Sequence, residues 1–324
     1  MLLMAQIENI EKQRLINFMR HTSMEVTPKG VQQIGDLNAF LRPGSTVYVT
    51  ALPGSDFSDT INAARYLNAS GFKSVPHFPA RAIKSKKQLE EDLDILSGEI
   101  GIKEGLLVGG GVDTVIGEFA SSIEVLRTEL FEKYGFKKLG LAGHPEGSPD
   151  VSLEDCLLAI DDKNAYAKNT DMDLYLATQF VFEARPVLDW ERAIRERGNL
   201  LPIHVGIPGI ATIKTLLKHA EHCGVGPSVR FLTRNPANVI RLALADTFFG
   251  RFVNAPSSNP SELIRDLVKG IYSDSGCLIE SCHLYPLGGL AKSASWLDSV
   301  RRGDFSLNQR GFDLYPSARK KPQA

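Results

Sequence analysis

Eight short runs of β-branched or apolar residues alternate along this chain with longer stretches of helical periodicity, and that alternation restricts the fold more than any other feature. The strand-like runs fall at 22–26, 46–51, 73–78, 104–109, 137–142, 174–180, 202–206 and 277–284. Helical stretches lie between them at 30–41, 56–70, 85–100, 117–133, 151–168, 185–198 and 210–223. A further helical region spans 227–270, and a last helix covers about 289–301. Apolar strands flanked by helices belong in a parallel sheet covered on both faces. Eight such units close into an α/β (β/α)8 TIM barrel, and 324 residues suit one. An open dinucleotide-binding sheet would carry GxGxxG after its first strand. Here the Gly109-Gly110-Gly111 run follows the fourth strand and lacks that spacing. It reads as a tight turn or a weak phosphate loop. The expected organisation is one catalytic domain over 1–302, with the extra helical segment before the eighth strand. A polar tail over 303–324 is expected to wrap the surface.

Charge excludes some partners. Lysine plus arginine number 37 and aspartate plus glutamate 38, a net charge of -1, without the basic excess a nucleic-acid surface needs. No apolar run is long enough for a membrane span. The first residues, MLLMAQIENIEKQRL, carry acids and read as an amphipathic helix rather than a signal peptide. Cys156, Cys223, Cys277 and Cys282 form no close pair, so a reducing, cytoplasmic setting is expected.

In a barrel, chemistry gathers where the strands end. Each of the eight ends carries a polar or glycine-rich feature. These are Glu25, Thr50, His77, the glycine run, His144-Pro145-Glu146, Thr178-Gln179, His204 with Pro208-Gly209, and His283 with Tyr285. Singly, each has an ordinary structural explanation: a paired carboxylate, a hydrogen-bonded core histidine, a capped loop. HExxH, zinc spacing, GxSxG and a Walker lysine are all missing, which disfavours a metal hydrolase. One carboxylate among histidines, amides and glycines suits a planar heterocycle and one acid–base residue.

Several segments, in order, resemble the methylenetetrahydrofolate reductase family over about residues 22–300. They are TSMEVTPK (22–29), VTALPG (49–54), VPHFPAR (75–81), LAGHPEGSPD (141–150), LYLATQFVFE (174–183), GIPGI (206–210) and CHLYPLGGL (282–290). Each short motif is weak alone and their order and spacing together are strong; LYLATQFVFE is the most specific of the set. The resemblance implies FAD as cofactor, NADH or NADPH as co-substrate, a tetrahydrofolate derivative as substrate and a homo-oligomeric assembly. It implies that Glu25 is the general acid that opens the imidazolidine ring by protonating N10. Gln179, with Glu146 and Tyr285, would bind the substrate. Thr50, His77, Gly110, Gly111 and His144 would line the flavin. Asp161 and Lys168, seven residues apart, fall where the family contacts the cofactor's ribose and phosphate region.

The chain departs from the family pattern at four positions. Gly111 stands where an acid is usual, with Asp113 nearby; Gly109 occupies the arginine position of the same motif; His144 replaces a tyrosine; and Leu216 stands near an expected aromatic. The implied mechanism is ping-pong, with Glu25 holding its proton in a partly buried mouth. Direction, methylenetetrahydrofolate reduction or methyltetrahydrofolate oxidation, stays open. So do three other readings: direct hydride transfer from NAD(P)H without flavin, a folate-dependent methyltransferase barrel, and a non-catalytic folate-binding subunit.

Overall fold

The computed structural model describes residues 2–34, 36–52, 54–110, 114–148, 151–212, 215 and 257–316. Its centre is a closed barrel of eight parallel strands. In chain order they are β1 (Ser23–Val26), β2 (Thr46–Val49), β3 (Lys73–Pro79), β4 (Glu104–Val108), β5 (Lys138–Gly143), β6 (Asp173–Phe180), β7 (Ile203–Pro208) and β8 (Ile279–Tyr285). Each strand pairs with its sequence neighbours, and β1 pairs with both β2 and β8 to close the ring.

The helices are α1 (Leu2–Met19), α2 (Pro28–Ile34), α3 (Phe57–Ala69), α4 (Lys86–Asp94), α5 (Ser122–Leu126), α6 (Leu130–Lys133), α7 (Leu153–Ala167), α8 (Ala184–Glu196), α9 (Ser261–Ser273) and α10 (Leu290–Arg302). Local chemistry sets their starts. Asp56, Ser85 and Ser152 each accept a hydrogen bond from an otherwise unpaired amide in the first turn of α3, α4 and α7. Gly303, at φ 75°, ends α10 in the left-handed conformation that suits glycine. On α8, Ala184, Val187, Trp190, Glu191 and Ile194 repeat at three- and four-residue steps and form its buried face.

Period-two alternation divides each strand between two cores. One side, including Val47, Val49, Phe78, Leu107, Leu139, Leu141 and Leu176, joins the layer between sheet and helices. The other faces the barrel interior, where Tyr48, Val75, Leu106, Tyr175 and Ala177 cluster separately. Two interior glycines make this possible. A Cβ on Gly140 would stand 2.7 Å from both Leu106 Cδ1 and Tyr175 Oη. A Cβ on Gly206 would stand 2.5 Å from the carbonyl oxygen of Gln179, where β6 bulges against β7.

Several expectations need correction. The stretch 117–133 is two short helices, because Glu129 adopts φ 55° and Thr128 Oγ1 donates to Val125 O, turning the chain between them. The stretch 85–100 leaves α-helical geometry after Asp94 and finishes as a π-turn over Ile95–Glu99. The stretch 30–41 is α2 followed by a separate turn at Leu37–Ala39, capped by Asp36. Over 303–316 the chain is more than a polar tail on the surface. Phe305–Leu307 and Phe312–Leu314 form an antiparallel hairpin, and Phe305 and Phe312 are fully buried against the main core. Two phenylalanines seven apart, set among polar residues, hid that burial. Ala211–Thr212, expected at the start of a helix, instead pairs antiparallel with Ser257–Ser258, and of the expected 227–270 helical region 257–260 and α9 are described; 213–214, 216–223 and 227–256 lie outside the described residues.

Among the described residues, no helix is long and apolar enough to cross a membrane. Cys156, Cys277 and Cys282 are free thiols; Cys223 lies outside the described residues.

Replacing Gly140 by alanine should cost about 1–3 kcal/mol, because Tyr175 and Leu106 must both move to admit the methyl group. Urea denaturation should show a lower midpoint with unchanged slope; an unchanged midpoint would mean that the interior has slack at this rung.

Candidate functional site

The carboxylate predicted from the first strand stands at the strand-exit end of the barrel, between two imidazoles. Glu25 Oε2 lies 3.8 Å from His77 Nε2 and 3.7 Å from His283 Nε2. These separations exceed a hydrogen bond, and both ring nitrogens are buried with no hydrogen-bond partner. Alternation explains how the three meet. Ser23 and Glu25 on β1, Val75 and His77 on β3, and Ser281 and His283 on β8 are each two residues apart, so all share the interior face. Beside Glu25 in register is Tyr48 of β2. Thr50 follows two residues later, and its buried Oγ1 also has no hydrogen-bond partner.

Burial decides the charge state of the histidines. Desolvation pushes His283 down to about 3, with His204 adding to the effect. His77 is pushed down to about 4 by burial and by His283, against the opposing pull of Glu25. At neutral pH both rings are therefore uncharged. A neutral imidazole can present Nε2 as an N–H donor to a carboxylate or as a lone pair to a carboxylic acid. The pair can thus serve Glu25 in either protonation state.

The rest of the mouth forms around this centre. Tyr285, on β8, has its ring 4.6 Å from His283 and donates from Oη to Thr178 O at 3.1 Å. Gln179 is exposed on the bulge that ends β6, and the backbone there is held by Thr178 Oγ1, which accepts from Gly206 N. Gly110 follows β4 with φ 97°, and a Cβ there would lie 3.2 Å from that of Pro79. His144 and Glu146 lie in the loop after β5, both part-buried. His144 is pushed down to about 4 by burial and by Lys163. Gly111 lies outside the described residues, as do Asp113 and Leu216.

Two expected residues are not brought to the mouth. Asp161, on the outer face of α7, is held by Arg197 at the end of α8 through three hydrogen bonds of 2.6–2.9 Å. Lys168 caps the C-terminal end of α7, where the chain turns back into β6 and hence towards the strand-entry end. The seven-residue spacing placed both on the right helix, but that helix runs away from the mouth.

The sequence reading also missed residues. Lys163, buried on α7, donates from Nζ to Ala142 O at 2.6 Å near the exit end of β5. Burial pushes its ammonium down to about 8. Helical side chains lean towards the helix N-terminus, which gives this lysine its reach. Tyr48 and Tyr175 read as apolar strand residues, yet their hydroxyls hydrogen-bond each other inside the barrel. His283 was noted at a strand end but not as Glu25's neighbour; counting β8 in steps of two would have paired them.

No family model matches the chain.

His77 and His283 should not titrate above pH 5 in histidine NMR spectra. Unfolded, each ring takes up its proton near pH ~6.5, whereas the folded rings do not. Stability should therefore be unaffected by these rings above about pH 6.5. It should fall as pH drops from there towards 4, by up to about 1.4 kcal/mol per pH unit for each ring. Urea titrations that stay flat down to pH 5 would show that the rings are solvated.

Proposed function

We propose that the protein is a methylenetetrahydrofolate reductase-like oxidoreductase, interconverting 5,10-methylenetetrahydrofolate and 5-methyltetrahydrofolate with FAD and NADH or NADPH. One observation carries this reading: the Glu25 carboxylate at a barrel mouth, set between two neutral imidazoles. Such a carboxyl group can hold a proton next to substrate and, on giving it up, find N–H donors for the carboxylate that remains.

In this reading Glu25 delivers its proton to N10 of the folate. Ring opening leaves an electrophilic one-carbon unit at N5. His77 and His283 then turn their N–H groups to the carboxylate that remains. Gln179, exposed at the bulge, supplies an amide for the pterin edge, with Tyr285 and Glu146 flanking it. In the oxidative direction Glu25 takes the proton back.

The ring-side residues fit a flavin. Thr50 Oγ1 and His77 Nε2 are buried polar atoms with no hydrogen-bond partner, suited to a heterocycle rich in nitrogen and oxygen. His144 and the close-packed turn at Gly110 complete that side. When bound, the flavin supplies hydride transfer. Asp161 and Lys168 do not fit as contacts to its ribose and phosphate, since neither lies at the mouth. That mismatch favours a second reading, in which NAD(P)H passes hydride directly to the folate over the same Glu25.

The purified protein should be yellow, with absorption near ~450 and ~375 nm that NADH bleaches. Glu25→Gln should leave that bleaching nearly intact and slow folate reduction by about 10²–10⁴-fold. A colourless protein that takes up no added FAD yet oxidises NADH with methylenetetrahydrofolate would establish the direct route. Equal loss of both half-reactions in the variant would remove Glu25 from its assigned role.

A further inference from the structure

A chain of hydrogen-bonding side chains runs through the barrel interior from one end to the other. At the mouth, His283 Nε2 faces Glu25 at 3.7 Å. The same ring's Nδ1 is 2.8 Å from Ser23 Oγ. The Ser23 side chain also lies within reach of the Tyr48 phenol, its neighbour across the β1–β2 pair. Tyr48 and Tyr175 share a short hydrogen bond, and Tyr175 Oη donates to Glu104 Oε1 at 3.2 Å. Glu104 is the first residue of β4, so it stands at the strand-entry end, opposite Glu25. Its side chain is 24 % exposed and lies 3.7 Å from Lys138 Nζ. Between the two carboxylates, Ser23, Tyr48, Tyr175 and His283 are all buried.

Each intermediate group can both give and accept a hydrogen bond, so the chain has two polarities. In one, Glu25 is protonated and every group donates towards an ionised Glu104. In the other, Glu104 is protonated and His283 turns its Nε2–H to an ionised Glu25. The two states differ by one proton moved from end to end. We propose that this chain is a proton relay that connects Glu25 to solvent at the opposite end of the barrel.

The step balances as follows. Solvent protonates Glu104. Its proton passes to Tyr175 Oη as the Tyr175 proton passes to Tyr48. The Tyr48 proton passes to Ser23, that of Ser23 to His283 Nδ1, and His283 releases Nε2–H to Glu25. No group is oxidised, and only the carboxylates change charge. The 3.7 Å gap at Glu25 closes by rotation of its flexible side chain. Once Glu25 has given its proton up, rotation of the hydroxyls and a change of the imidazole tautomer restore the second polarity for the next transfer. Burial holds both phenols above their usual range and His283 below its own, so neither phenolate nor imidazolium persists between hops.

Other titratable groups face the chain. His77 faces Glu25, and Lys138 faces Glu104. His204, bonded to Glu280, stacks on Tyr175 with centroids 4.2 Å apart. The purpose of the relay rests on the proposed function: a substrate seated in the mouth covers Glu25, and a route through the floor recharges it without substrate release.

The relay can be tested without any substrate. In Glu25→Gln protein the mouth end is blocked, and ¹⁵N-histidine NMR reads exchange of the His283 ring proton with water. Adding Tyr175→Phe, which keeps the ring and removes the link, should slow that exchange by about tenfold or more. The His204 ring proton, outside the chain, should be unaffected and reports that the fold is kept. Tyr48→Phe in the same background should act alike and serves if the first variant fails to fold. Unchanged His283 exchange in a folded variant overturns the relay. In otherwise wild-type protein, Tyr175→Phe should lower kcat for folate reduction about tenfold or more with KM unchanged. A protein whose exchange obeys the relay but which never turns over folate keeps the relay and loses the proposed function.

Discussion

The barrel closes around a hydrogen bond between two tyrosines. Tyr48 and Tyr175 come from strands on opposite sides of the ring and meet in a space from which water is largely shut out. Filling a barrel with branched apolar side chains is the simpler solution. Filling it with phenols, imidazoles and a serine favours partners for the polar atoms inside, since an unsatisfied one costs about 1–3 kcal/mol, and the ones left without a partner, on His77, His283 and Thr50, stand at the mouth. The interior is therefore ordered by directional bonds as well as by shape. Gly140, next to the Tyr175 hydroxyl, and Gly206, under the β6 bulge, provide the room.

That ordering extends to the mouth. Glu25 is placed by β1, but its surroundings come from β3 and β8, whose imidazoles stand where the interior gives way to the exit end. Desolvation keeps those rings neutral, and their neutrality lets one carboxylate be served in two protonation states. The apolar packing of helices on the outer face of the sheet supplies rigidity. The buried polar groups of the candidate site belong to the inner face.

The eight-fold alternation was legible because parallel strands buried on both faces must be apolar, and the helices between them must be amphipathic. Glu25 and His77 were legible as polar residues that such strands do not otherwise tolerate at their ends. What escaped the sequence was partnership. Which polar residues touch depends on strand register, and register follows from ring closure and from bulges such as those in β6 and β8. Asp161 shows the converse error: it sat at a suggestive distance along the chain from Lys168, yet its nearby cation is Arg197, which only the packing of α8 on α7 reveals. The hairpin at 305–314 was missed because two phenylalanines make too short a pattern to register as an element, although both are fully buried.

That hairpin also bears on how the chain is made. Lys12 of α1 donates to Phe305 O at 2.6 Å, a contact between residues 293 positions apart. Glu11 of the same helix pairs with Arg265, which in turn holds the carbonyls of Asn308 and Gly311. During synthesis at about 5–20 residues per second, α1 leaves the ribosome roughly 15–60 s before these partners exist. Through that interval its apolar side chains, Leu15, Phe18 and Met19 among them, lack the surfaces that bury them in the finished protein. This helix is thus made long before the elements it docks on, and until then its apolar face is open to capture by a chaperone.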